Sequence, residues 1–339
     1  MRREWLTGLT RLGGICALMI GVLAMAGCQA PTLDPTTLRQ GHNLPDLHHL
    51  PWPSGYYSDA AWSPNGRWIA VLAGDDYAGS HLEVLSPDGK YHRWLTAWGC
   101  GNLGFFTFAW LPDSALSCMT DSGHLIIGSY PFTDPHTVAM NTALAAGHEG
   151  AAWLAQGPTL IVSSVTDPSD PSHEVSNGRL YAVRRDGTVL LQALTPKSDD
   201  VTRPDAAPHD QGQGTAITYV LQVSTGLGTW HLDLLLSKLT MTAAGVPQLE
   251  TTRAQTLATD VDDHYTWAPS GHWIAVRHLG YQGGDKIYLL NPAHPAQTVD
   301  IVLADQVGQQ MMNPIWSPDG KTLIVFSVGF NSSQPYAIT

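Results

Sequence analysis

The sequence predicts an all-β fold, a β-propeller of six blades. Three observations predict it: a Trp-marked segment that recurs at blade-length intervals, a Pro/Gly turn inside the clearest copies, and a composition of short strands and turns with no long helical periodicity after residue 28.

The recurring segment is clearest at residues 62–71 (WSPNGRWIAV), 267–276 (WAPSGHWIAV) and 316–325 (WSPDGKTLIV), which align without gaps. Weaker copies begin at Trp110 (WLPDSALSCM) and Trp153 (WLAQGPTLIV). Successive Trp anchors are 48, 43, 114 and 49 residues apart, so the interval of 114 has room for one further copy that has lost its Trp. Residues 208–223 (PHDQGQGTAITYVLQV) serve as that copy, and the count becomes six. In each copy a strand carries the Trp to the core and a tight turn follows, because Pro presets φ and Gly accepts positive φ. A β-branched strand then returns. A third strand and a second turn are visible at 81–89 and 180–187, which makes four strands per unit.

Composition agrees. Of 339 residues, 43 % are hydrophobic, enough to fill a core, and only 14 % are charged, while Gly and Pro number 33 and 23. The formal charge is -12, and the first 27 residues hold Arg2, Arg3 and Arg11 against Glu4, so the remainder is more acidic still. Such a body excludes nucleic acid as an expected partner, since phosphate binding rests on Lys and Arg.

The W-S-P-D-G segment at 316–320 and its copies resemble the repeats of WD40-like, TolB-type propellers over residues 57–339. The resemblance implies a six-bladed propeller that acts as a protein-binding platform. Similar blades precede the hydrolase domain of prolyl-oligopeptidase-type peptidases, but no G-x-S-x-G elbow is present and no hydrolase domain is expected after Thr339. The last Trp anchor leaves 23 residues, enough for about three strands of a blade. A stretch around residues 49–57 is expected to supply the fourth and close the ring.

The first 27 residues read as a signal peptide: a basic start, then the apolar run 13–26 (GGICALMIGVLAMA), too short to span a bilayer comfortably. Met25-Ala26-Gly27-Cys28 resembles a bacterial lipobox, with Met25 where Leu is usual, and implies lipidation of Cys28 and stable attachment to a membrane on the extracytoplasmic side. An ordinary cleaved signal and an uncleaved anchor are the alternatives. Gln29 after the Cys favours an outer over an inner membrane. Residues 28–50 read as a flexible tether whose His42, His48 and His49 are solvated, with the propeller beginning at residue 51.

In a propeller the innermost strands line a central channel, so the residues before each Trp are site candidates. Three places before the anchors stand Asp59, Thr107, Gly150, His264 and Asn313, with His148, Glu149, Asp262 and Asp263 beside them. Asp59, Thr107, Glu149, Asp263, His264 and Asn313 are the candidate ligand-binding residues; the opposing reading is a water-filled channel with polar walls. The long loops 74–79, 167–178 and 278–284 share that face, which makes it the expected recognition surface, with Asp75, Asp76 and Tyr77 as candidate contacts. No metal or other cofactor is expected, because 260–264 (DVDDH) lacks the Gly and terminal Glu of a calcium loop and no His/Cys pairing has metal-site spacing. Cys100 and Cys118 either form a disulfide or remain two buried thiols; a simple hairpin register puts Cys118 opposite residue 106.

The expected function is a monomeric, non-enzymatic binding or scaffold module for an unidentified protein, peptide or envelope glycan. The rival is an enzyme acting on a sugar or lactone through the acids of the channel mouth.

Overall fold

The computed structural model describes residues 47–339 apart from 54, 75–80, 101–107, 121–123, 141–143, 145–149, 156, 168–169, 210–213, 227, 279–285, 302–309 and 330–331. The leader, Cys28 and most of the tether therefore lie outside the described residues.

Strands are numbered in chain order. A short β1 (Leu47–His49) precedes a first blade of β2 (Tyr57–Trp62), β3 (Ile69–Ala73), β4 (His81–Leu85) and β5 (His92–Trp94). The second blade holds β6 (Phe108–Trp110), β7 (Leu116–Met119), β8 (Leu125–Gly128) and β9 (His136–Val138). The third holds β10 (Ala151–Trp153), β11 (Thr159–Asp167), β12 (Asp170–Arg184) and β13 (Val189–Leu190). The fourth holds β14 (Val201–Ala206), β15 (Thr215–Gly226), β16 (Thr229–Met241), β17 (Pro247–Leu249) and an added β18 (Gln255–Ala258). The fifth runs β19 (Val261–Trp267), β20 (Ile274–His278), β21 (Lys286–Leu290) and β22 (Thr298–Ile301). The sixth is β23 (Gln310–Trp316), β24 (Leu323–Gly329) and β25 (Ser332–Ile338), with β1 as its outermost strand. This is a six-bladed β-propeller whose strand pairs are antiparallel; the first five blades contain four-stranded meanders, and the sixth is a three-stranded meander completed by β1.

The turn chemistry explains the repeat. Gly66 takes φ 70° and donates its N–H to Ser63 O at 2.9 Å, while the Ser63 hydroxyl accepts the Trp68 N–H and donates to Asn65 Oδ1. Ser317 with Asp319 and Thr322 repeats this bonding, and so does Ser86 with Asp88 and Tyr91 in the turn between β4 and β5.

Apolar side chains gather in six buried clusters, one at each junction between neighbouring blades. The cluster of Trp52, Tyr57, Ile69 and Val71 with Ile315, Ile324 and Phe326 joins the sixth blade to the first and closes the ring. The repeated Trp adds a polar link: Trp110 Nε1 donates to Ala61 O, Trp153 Nε1 to Ser117 Oγ and Trp267 Nε1 to Thr218 Oγ1, each bond reaching the preceding blade.

Two boundaries differ from the sequence reading. The described part of the propeller already includes Leu47–His49, because β1 pairs with β25 (His49 opposite Tyr336); His49 is a strand residue packed edge-on against Tyr336. The closing strand also lies slightly earlier than the expected stretch around residues 49–57. The degenerate copy starts earlier than residue 208 too. Ala207 N–H bonds to Ala216 O as Ser63 N–H bonds to Trp68 O, which places Ala206, not Pro208, where the other blades carry Trp.

Cys100 and Cys118 form a disulfide, with Cα atoms 6.1 Å apart. Cys118 is opposite Phe108, and Cys100 reaches it from outside the hairpin, along the connection that follows the turn Thr96–Trp98. A register count along β6 and β7 could not have found that approach.

Candidate functional site at the channel mouth

The innermost strands of all six blades line a central cavity of about 620 Å³, bounded by Asp59, His264 and Asn313 and by the anchor tryptophans with their turn prolines. The entry to the innermost strand is irregular in four blades, with register shifts between Tyr57 and Asp59, Thr202 and Asp205, Val261 and Tyr265, and Met312 and Ile315. Such bulges re-aim side chains at a sheet rim. Here they surround a group of charges.

Asp59 and Arg203 come from the first and fourth blades, opposite one another in a ring of six. Their side chains meet, Arg203 Nη1 lying 3.4 Å from Asp59 Oδ2, so the pair spans the channel. The second oxygen of Asp59 accepts the Ala60 N–H at 2.9 Å. Gly150 makes room for Arg203, since a Cβ there would stand 2.8 Å from the Arg203 Cα. The Asn313 amide donates to the Ser58 carbonyl, and the Tyr265 hydroxyl donates to the Arg203 carbonyl.

A second group adjoins the first. His264 Nδ1 lies 2.8 Å from carboxylate oxygens of both Asp262 and Asp263, and Arg277 Nη1 lies 2.8 Å from the other Asp262 oxygen. Burial disfavours the imidazolium, but the two carboxylates outweigh it and hold His264 above the usual histidine value. Burial likewise pushes against ionised Asp263, and His264 together with Asp262 overcomes it, so Asp263 ionises well below the usual carboxylate range. Asp59 goes the other way: desolvation exceeds the pull of Arg203, His264 and the Ala60 N–H, and its pKa is raised. Asp205, half-buried on the channel wall, is pushed up to about 6 by burial despite N–H donors at Ala206 and Trp267.

Among the described residues, Asp262, Asp263 and His264 are the group whose donor atoms lie close enough together to meet one cation. Their bonds to each other and to Arg277 already use these atoms.

The structure thus brings together Asp59, Asp263, His264 and Asn313 from the expected set. Thr107, Glu149, Asp75, Asp76 and Tyr77 lie outside the described residues. Sequence reasoning missed Arg203, Asp205 and Arg277. Arg203 stands three places before Ala206, the position from which the others were chosen, and became visible only once the lost Trp was located.

No family model matches this sequence, and no curated protein does. Solved structures match. A gluconolactonase from Xanthomonas campestris aligns at 14 % identity and TM-score 0.53, over 86 % of this chain and 89 % of that one. An oligogalacturonate lyase from Vibrio parahaemolyticus aligns at 10 % and 0.51, over 88 % and 99 %. TolB from Acinetobacter baumannii aligns at 12 % and 0.46, over 84 % and 63 %. At these identities the likeness is one of fold alone.

Proposed function

We propose that this chain is an exported propeller, anchored by a lipid on Cys28, that binds a protein, peptide or envelope glycan on its loop-bearing face without catalysing a reaction. One observation carries the proposal: six ionisable groups around the channel mouth are engaged with one another, Asp59 with Arg203, His264 with Asp262 and Asp263, and Asp262 with Arg277. A general acid or base must be able to reach a substrate proton, and here Asp59 is tied across the channel to Arg203 while His264 is tied to its neighbours within the fifth blade. The same face carries the β15–β16 hairpin, whose strands of 12 and 13 residues exceed the 5 residues of β3 and project past the blade. Trp230 near its tip is 60 % exposed, the kind of aromatic anchor that recognition surfaces use.

Capture from detergent-solubilised membranes, using the full chain as bait, tests the proposal. Trp230→Ala or the double variant Asp75→Ala/Asp76→Ala should lose the captured partner, and Asp59→Asn should keep it. A partner retained by both loop-face variants but lost with Asp59→Asn would place recognition in the channel. The anchor is tested separately: a fatty-acid analogue should label wild type and not Cys28→Ser.

The rival reading, turnover of a sugar or lactone in the channel, is favoured by the raised pKa of Asp59 beside a cavity of about 620 Å³. Product formation from uronides or lactones that disappears with Asp59→Asn would establish it.

A further inference from the structure

On the face opposite the loops, between the first and second blades, lies a cleft of about 500 Å³ lined by Asn65, Arg67, Trp68, Tyr91, Asp113 and Tyr130, among others. Its volume falls within the range of about 300 to 1,000 Å³ usual for small-ligand clefts. Its lining combines two features that fit one class of ligand.

The first is an aromatic platform. Trp68 stacks on Tyr130 at 4.9 Å and 12° between ring planes, and Tyr91 closes on Trp68 at 4.8 Å. Tyr130 remains 59 % exposed, so the stack presents a flat face to solvent. Repeat packing does not require this arrangement: Trp273, at the matching place in the fifth blade, has no ring contact among the described residues, and the sixth blade carries Thr322 there.

The second feature is a set of polar groups left unbonded beside that platform. Among the described residues the Arg67 guanidinium has no ion-pair partner, and the Ser129 hydroxyl and the Asn65 Nδ2 amide donate to nothing. Lys90 and Asp113 complete the rim, held by Asp88 at 2.9 Å and Arg185 at 2.8 Å. A cation without an ion-pair partner among the described residues, in a chain of formal charge -12, favours a negatively charged ligand at this place.

We infer that this cleft is a binding site for an acidic saccharide. The apolar face of a sugar ring lies on Tyr130, its carboxylate pairs with Arg67, and its hydroxyls meet Asn65, Ser129 and Asp113. A Pro-rich peptide also docks on aromatic clefts, but it relies on polar tips of those rings to bond its carbonyls. Here the Tyr91 hydroxyl already donates to Pro131 O, and the Arg67 guanidinium on the rim offers a charge partner that an acidic saccharide uses and a Pro-rich peptide does not need. The site is separate from the loop-bearing face and does not depend on how that face functions.

The test is titration calorimetry of the full chain with three probes: a uronic-acid trisaccharide, its carboxyl-reduced neutral counterpart, and a Pro-rich hexapeptide. The acidic trisaccharide should bind, with affinity that falls as salt is added, and the neutral form should bind at least about fivefold more weakly. Arg67→Gln should lose the preference for the acidic form, and Tyr130→Ala should weaken both sugars about tenfold. Tyr130→Ala unstacks Trp68 and could loosen the blade junction, but Arg67 has no side-chain partner among the described residues, so Arg67→Gln is free of that ambiguity. Equal binding of the two sugars, unchanged binding by Arg67→Gln, binding of the peptide alone, or no binding of any probe would each overturn the inference.

Discussion

Asp205 shows how the channel wall couples to pH. Folded, its carboxyl holds a proton up to about 6; unfolded, it releases it near the ordinary carboxylate value. Between those values the native state binds more protons than the unfolded chain, so this residue lowers stability as pH rises through the window, and the loss is complete above it. Asp205→Asn should therefore gain stability over wild type at about pH 7 and not at about pH 4, read by urea unfolding at both. Equal differences at the two pH values would contradict the assignment. His264 and Asp263 respond to pH in directions opposite to each other. The raised pKa of His264 gives stability that is lost as pH rises through its folded value, and the lowered pKa of Asp263 gives stability that is lost as pH falls below the carboxylate range. Their joint contribution is greatest in between. At this scale the sequence was readable where the repeat was intact: Asp59, His264 and Asn313 were found by counting back from a Trp. Arg203 was hidden because Ala206 had replaced the Trp from which to count.

The strand and the turn are where the repeat was most legible, since W-S-P-x-G writes both the core anchor and the turn into adjacent residues. Neighbouring blades also depend on residues with no such signature. Trp153 Nε1 donates to the Ser117 hydroxyl, itself bonded to Ala109 O, and all three groups are buried. Ser117→Ala leaves a buried indole N–H without its acceptor and should cost about 1 to 2 kcal/mol. Trp316 offers the reciprocal case. Its Nε1 is buried without an acceptor, and the fifth-blade residue at the Ser117 position is Ala275, opposite Thr266 as Ser117 is opposite Ala109. Ala275→Ser should supply the missing acceptor and raise the unfolding temperature, whereas a fall would show that the added hydroxyl is not accommodated. The disulfide also belongs to this scale. It encloses a sequence separation of 18, so replacing both Cys100 and Cys118 with Ser should cost about 3 kcal/mol in the chain-entropy account, measured by unfolding of the oxidised wild type against the variant.

For the whole molecule the decisive contact is the one that closes the ring. Trp52 packs against Tyr57 and Phe326 and donates its Nε1 to Pro87 O, joining the segment after β1 to both the sixth and the first blade. Gly89 fits beneath this segment because a Cβ there would stand 2.4 Å from the Pro51 carbonyl oxygen. Trp52→Ala should cost about 3 to 5 kcal/mol, more than a single turn substitution elsewhere, because it loosens the junction where β1 meets the last strands of the propeller. Blade number and order could be inferred from spacing, yet the start of β1 could not. Three residues of extended chain carry little periodicity, and their place is set by the free edge of β25.

The charges at the channel mouth are bound to one another, and the proposed binding role requires that this pairing serve the fold. A double-mutant cycle on Asp59→Asn and Arg203→Gln, read by chemical unfolding, tests this most directly. Coupling of about 1 to 2 kcal/mol between the two residues is expected, with partner capture unchanged in each single variant. Coupling near zero, together with loss of a measurable turnover or of the captured ligand, would contradict it.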